Sequence, residues 1–163
     1  MLSKSLFKSF PETARLWVFA LNGPIVGADS FRTNLETFVS SWKAHGSPLK
    51  AGVEIIENQM VLVAADEQYA SASGCSIDAL TREVIKLSKV SGLSICGGGD
   101  VAFKQGDIWQ AVSRAEFQKL IASGAVTKET LVVDATLTSI GELHSKGVVK
   151  PLNESWHLNA FKF

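Results

Sequence analysis

Lys50-Ala51-Gly52-Val53-Glu54-Ile55-Ile56 is followed, after Glu57-Asn58-Gln59, by Met60-Val61-Leu62-Val63-Ala64-Ala65. In the first segment Ala51, Val53 and Ile55 alternate with Lys50, Gly52 and Glu54, the two-residue period of a strand with one buried face. The second is a continuous apolar run of strand length. Together they read as a β-hairpin, and the rest of the chain is read outward from it.

Upstream, Arg15-Leu16-Trp17-Val18-Phe19-Ala20 is rich in β-branched and aromatic residues and stops at Asn22-Gly23-Pro24, a turn signal. Between this strand and the hairpin, Asp29 or Ser30 is placed to cap a helix. Its apolar residues Phe31, Leu35, Phe38, Val39 and Trp42 recur at helical spacing, and Gly46 with Pro48 ends it. Downstream, the polar stretch Asp66 to Ser76 opens onto a second helix with Ile77, Leu80, Val84 and Leu87 on one face, closed by Ser91-Gly92. Gly97-Gly98-Gly99 then breaks the chain before Val101-Ala102-Phe103. Gly106-Asp107 turns that segment into Ile108 to Val112, a second hairpin. Ser113 and Glu116 form a capping box for a third helix ending at Gly124. Thr130 to Val133 reads as a short strand and Ser139 to His144 as a helical turn, before a tail with Trp156 and Phe161.

Residues 14–104 therefore run strand, helix, strand, strand, helix, strand. That is the ferredoxin-like βαββαβ order of the α+β class, an antiparallel sheet with both helices on one face. Residues 105–163 are expected to pack on this core as a β-hairpin and helix extension, within one domain of residues 1–163. The sheet's other face needs a cover, from the third helix and the tail or from a second copy in a homodimer.

Composition narrows the function classes. The chain has 163 residues, 46% hydrophobic and 20% charged, which excludes disorder and leaves enough apolar side chains for a core without disulfides. Sixteen basic residues balance sixteen acidic ones, and no Lys/Arg block stands out. The electrostatic footprint of a nucleic-acid or anionic-membrane binder is missing, so neither partner is expected. No apolar stretch is long enough to span a bilayer as a helix, and the N-terminus mixes lysines with apolar residues without the apolar core of a signal peptide. The two cysteines, Cys75 and Cys96, are expected as free thiols in a cytoplasmic protein.

Topology selects one candidate site. In the ferredoxin-like order the loop after the first helix and the loop before the second emerge at the same end. His45-Gly46 should therefore neighbour Asp66, Glu67, Ser71, Ser73, Gly74, Cys75, Ser76 and Asp78. A thiol at a helix N-terminus gains thiolate character from the free N–H groups and the helix dipole. Cys75 is thus the nucleophile candidate, with His45 as base or thiolate partner and Asp66 or Asp78 as the orienting carboxylate. Glu67, Ser71, Ser73, Gly74, Ser76, Asp78 and Trp42 are the candidate binding residues. Capping alone also selects Ser, Gly and Asp before a helix, and a histidine near a helix C-terminus is a favourable dipole contact without catalysis.

Metal and cofactor are both read as none. The histidines at 45, 144 and 157 and the two cysteines lack the paired spacings of zinc sites. Gly92 to Gly97 has the internal spacing of a phosphate-binding loop, yet Gly98 and Gly99 stand where the lysine and the Ser/Thr are required.

Trp42-Lys43-Ala44-His45-Gly46-Ser47-Pro48-Leu49-Lys50-Ala51, Asp66-Glu67, Ala72-Ser73-Gly74-Cys75-Ser76-Ile77-Asp78 and Ser155-Trp156 together carry a resemblance. The chain resembles, over nearly its whole length, a family of short bacterial proteins of no assigned activity whose members often carry the automatic label "ABC transporter ATPase". The label does not suit this sequence, which is shorter than an ABC ATPase domain and has neither Walker motif nor a signature loop. What the resemblance implies is that His45-Gly46 and Ser73 to Asp78 belong to one site. The reading for function is a binding module for a small molecule or a protein partner. The alternative is a thiol-dependent enzyme or redox sensor using Cys75.

Overall fold

A computed structural model of the chain describes residues 2–163, so Met1 of the N-terminal stretch lies outside the described residues. The first half contains β1 (Arg15–Ala20), α1 (Ala28–Ser40), β2 (Lys43–Ala44), β3 (Ser47–Pro48), β4 (Lys50–Ile56), β5 (Met60–Asp66) and α2 (Gly74–Val90). The second contains β6 (Asp100–Gln105), β7 (Ile108–Ser113), α3 (Arg114–Ala122), β8 (Leu131–Val133), α4 (Ile140–Lys146), β9 (Val149–Pro151) and α5 (His157–Ala160). The class is α+β with antiparallel sheets.

The β4–β5 hairpin forms the first sheet with β1, in the order β1-β5-β4, so β5 is its central strand. Lys50 pairs with Asp66 and Ile56 with Met60, and β1 lies antiparallel on the other side of β5. Every residue of β5 is buried, because the strand faces a different core on each side. Val61, Val63 and Ala65 pack under α1 and α2 with Leu35, Val39, Leu80 and Val84. Met60, Leu62 and Ala64 face a second core made with Ala102, Trp109, Val133, Ile140 and Leu143. Fully burying a Val, Leu or Met side chain contributes about 1.5–3 kcal/mol, so β5 anchors the layers on both of its sides.

The second sheet has the order β7-β6-β8-β9. Its far face carries Val101, Phe103 and Val132, covered by Phe117 and Ile121 of α3 and by Leu152 and Phe161. The layers are therefore helices, sheet, sheet, helix.

This arrangement departs from the ferredoxin-like expectation at the fourth strand. The strand expected to complete the first sheet, at Val101–Phe103, belongs instead to the second, where it pairs with β7 from Asp100↔Ser113 to Gln105↔Ile108. On its way there the chain makes a single antiparallel bridge, Leu21↔Ile95, one residue past the end of β1. Gly97, Gly98 and Gly99 follow, with no side chains to hold the segment against the sheet, and the chain turns away. The open face of the first sheet is covered by the second sheet and α4, whereas the third helix lies on the far side of that second sheet.

The first helix also differs at both ends. Gly27, in the left-handed region with φ 70, precedes it without a side-chain cap, and Asp29 and Ser30 lie inside it. It stops at Ser40, which leaves Trp42 outside. The small β2–β3 hairpin follows, turning through His45 and Gly46 at φ 51 and 79. Both turn residues need positive φ in a tight hairpin of this twist. Ser73 caps α2 in a full capping box with Ser76, and the expected cap at Ser113 forms, although there only the bond from the Glu116 N–H is present. Among the described residues, no helix is long and apolar enough to cross a membrane.

Candidate functional site

Of the residues singled out in the sequence, Trp42 and Ser76 meet. The buried indole Nε1 of Trp42 donates to the carbonyl of Ser76, 2.8 Å away, and ties the segment after α1 to the first turn of α2. Ser73 is the N-cap of α2: its Oγ accepts the Ser76 N–H, and Ser76 Oγ accepts the Ser73 N–H at 2.7 Å. Glu67 accepts the Ala72 N–H at 2.8 Å and faces Arg15 at 3.8 Å. Asp66, buried at the end of β5, accepts the Gln68 N–H and faces Lys50 at 3.8 Å. These residues brace the loop against the helix. Cys75, Ser71, Gly74, Asp78 and His45 are exposed. No hydrogen bond or ion pair joins His45, Asp66 and Cys75 to one another among the described residues.

A different place has the form of a binding site. Between the two sheets lies a cleft of about 370 Å³, walled by Val18 and Ala20 of β1, Ala102 of β6, Val133 of β8 and Ala135. Its polar lining is Cys96, Gly97, Gly98, Asp100, Thr136, Trp156 and His157. A larger hollow of about 510 Å³ runs beside β4 under Phe7 and Phe10, but it is shallower and more open. Ligand sites are concave and mostly apolar with a few convergent polar groups, and the cleft between the sheets matches that description.

The chemistry of the cleft is set by burial. His157 is only 2% exposed, stacks on Trp156 at 3.9 Å between ring centroids, and has Nδ1 2.6 Å from Ser155 Oγ. Burial pulls its pKa down to about 4, with Arg114 and Lys150 acting in the same sense and Asp134 against them. The ring is therefore neutral near pH 7, with one protonated nitrogen. The buried Ser155 hydroxyl has no other acceptor among the described residues. Both groups are satisfied when that hydroxyl donates to Nδ1, which puts the ring proton on Nε2. Nε2 has no partner among the described residues. Nor is it sealed off, since Trp109 Nε1 is the fully enclosed side-chain atom without one. The Nε2–H is thus a donor at the cleft.

Burial, with the Asp100 carboxylate nearby, pushes the Cys96 thiol up to about 11, so it stays protonated near neutrality. Behind the cleft, Lys150 donates to Asp134 at 2.9 Å with both side chains buried, and Thr136 donates to the same carboxylate. Burial works to raise the Asp134 pKa, but the bonds from Thr136 and Lys150 outweigh it and hold the carboxyl below its usual range.

Val18, Cys96, Asp100, Thr136 and His157 were not among the residues the sequence singled out for a site. The signals present were the glycine run at 97–99 and the Ser155-Trp156 pair. Neither has a spacing that names a chemistry. No protein family, curated protein or solved structure matches the chain.

Proposed function

We propose that the chain acts as one domain, a binding module that holds a small, mostly apolar molecule in the cleft between its sheets. The observation that carries this reading is His157, a neutral ring fixed by Ser155 at one nitrogen and left without a partner at the other, beside apolar walls. Nε2 is open to the cleft, so its N–H is free to donate to an acceptor on a bound molecule. The protonated Cys96 thiol favours binding over thiol chemistry in the cleft. Within this reading the first sheet is a ferredoxin-like unit whose fourth strand is reduced to Ser94–Cys96, as the antiparallel Leu21–Ile95 bridge supports. A thiol-dependent enzyme or redox sensor at the corner of His45, Asp66 and Cys75 is the second reading. It is favoured by the exposure of Cys75 in the first turn of α2.

The test uses the neutral apolar dye N-phenyl-1-naphthylamine. It should bind the wild-type chain saturably with quenching of Trp156, and Ala135→Phe, which fills the mouth from an exposed position, should abolish binding without loss of stability. Saturable binding that survives Ala135→Phe, or none in the wild type, would overturn the reading.

A further inference from the structure

β1 is an edge strand, and its outer edge is hydrogen-bonded at both ends but not in the middle. At one end the Ile140 N–H donates to the Ala14 carbonyl at 3.0 Å and the Leu16 N–H to the Thr138 carbonyl at 2.9 Å. At the other end the Cys96 N–H donates to the Ala20 carbonyl at 2.8 Å and the Asn22 N–H to the Ser94 carbonyl at 3.1 Å. In an antiparallel strand alternate residues direct their backbone groups to the same edge. Leu16, Val18 and Ala20 therefore face outward, while Trp17 and Phe19 exchange bonds with Val63 and Val61 of β5.

Four groups are left over: the Leu16 carbonyl, both backbone groups of Val18, and the Ala20 N–H. None has a partner among the described residues. Val18 and Ala20 line the cleft. Exposed strand edges are templates for pairing, and this one is closed off at Thr138 and Cys96, so it admits a short segment and no strand running through. The cleft's volume of about 370 Å³ is also at the small end for ligand sites.

Resting on the cleft as the binding site, we infer that its ligand is a small amide, a short extended peptide or peptide-like molecule. One residue of this ligand pairs with the N–H and C=O of Val18, and a further carbonyl accepts from His157 Nε2. The apolar walls at Val18, Ala20, Ala102 and Val133 suit an aliphatic side chain on that residue. The cleft-facing donor at His157 and the open strand edge at Val18 are separate observations, and both ask for carbonyl oxygen.

The experiment is amide hydrogen exchange and chemical-shift titration by NMR on the whole chain. Three probes are used: N-acetyl-leucine N-methylamide, its analogue methylated on the leucine nitrogen, and N-phenyl-1-naphthylamine. Without ligand, the Val18 and Ala20 amides should exchange fast and those of Trp17 and Phe19 slowly. The first amide should slow Val18 exchange, and it should bind about fivefold or more tightly than the methylated one, which cannot donate to the Val18 carbonyl. Equal binding of the two amides, or binding that leaves Val18 exchange unchanged, overturns this inference while dye binding still supports the cleft. If neither dye nor amide binds, both readings fall.

Discussion

The indole of Trp42 and the carbonyl of Ser76, 2.8 Å apart, form the bond that makes a corner of α2 and the segment leaving α1. Trp42 also packs edge-on against Trp17, with ring centroids 5.5 Å apart. Trp42→Phe keeps an aromatic ring but removes the donor and some volume, so it should destabilise the chain by about 1–3 kcal/mol. Urea unfolding measures the loss. Exchange at the N-terminal amides of α2 should rise more than at β5, because the bond acts locally.

The elements that meet at that corner were legible in the sequence because their signals are local. A polar stretch rich in small residues followed by a helical apolar face marks the start of α2, and the two-residue period marks β4, whatever the rest of the chain does. The hairpin of Val101–Phe103 with Ile108–Val112 was legible too, but the sheet it joins was not. A short apolar segment fits any open sheet edge, and here one bridge at Ile95 and three side-chain-free residues decided against β1. The cleft was hidden for a further reason. Its backbone groups at Val18 are ones every non-proline residue carries, and they became available only because two distant segments bridge β1 on either side. His157 is a lone histidine in sequence, and its burial comes from Phe117 and Phe161, far along the chain or after it.

The ion pair of Asp134 and Lys150 has both side chains buried, at 7% and 6% exposure. Asp134→Ala leaves an uncompensated buried ammonium, and the cost should be about 3–5 kcal/mol. Replacing both partners, as Asp134→Val with Lys150→Met, should recover most of that loss, since neither charge is then stranded. The folded Asp134 pKa is depressed. Its contribution is therefore present above the unfolded value and is lost as pH falls through the folded one, and acid titration of the wild type against the double variant shows the difference.

His144 binds the N-terminal segment to α4, with Nε2 2.9 Å from the Leu6 carbonyl and Nδ1 2.8 Å from Glu12 Oε1. Both neighbours are acceptors, so the doubly protonated ring fits best. The Leu6 carbonyl, then Glu12, raises the His144 pKa. Stability from this contact is complete below the unfolded value of about 6.5 and is lost as pH rises through the folded one. His157, with its lowered pKa, acts in the opposite sense. The comparison is therefore wild type against His144→Gln, in which the His157 effect cancels. Their stability difference should be larger at about pH 5.5 than at about pH 8.5, and a difference independent of pH would remove the charged contact.

Cys75 and Cys96 offer a direct comparison of the two candidate places within one molecule. Cys75 is exposed, whereas Cys96 is half-buried beside Asp100 with its thiol pushed up to about 11. Only the thiolate reacts, so near pH 8 Cys75 should be alkylated at least about tenfold faster, as mass spectrometry of iodoacetamide-treated protein can read. A molecule held in the cleft covers Cys96, which lines it, and leaves Cys75 at the far end of the first sheet's helices untouched. N-phenyl-1-naphthylamine should therefore slow Cys96 labelling at a pH high enough to observe it, with Cys75 unchanged. Protection of Cys75 instead would move binding to the Trp42–Ser76 corner. Cys75 alkylation slowed by His45→Ala would then make the thiol reading the better one.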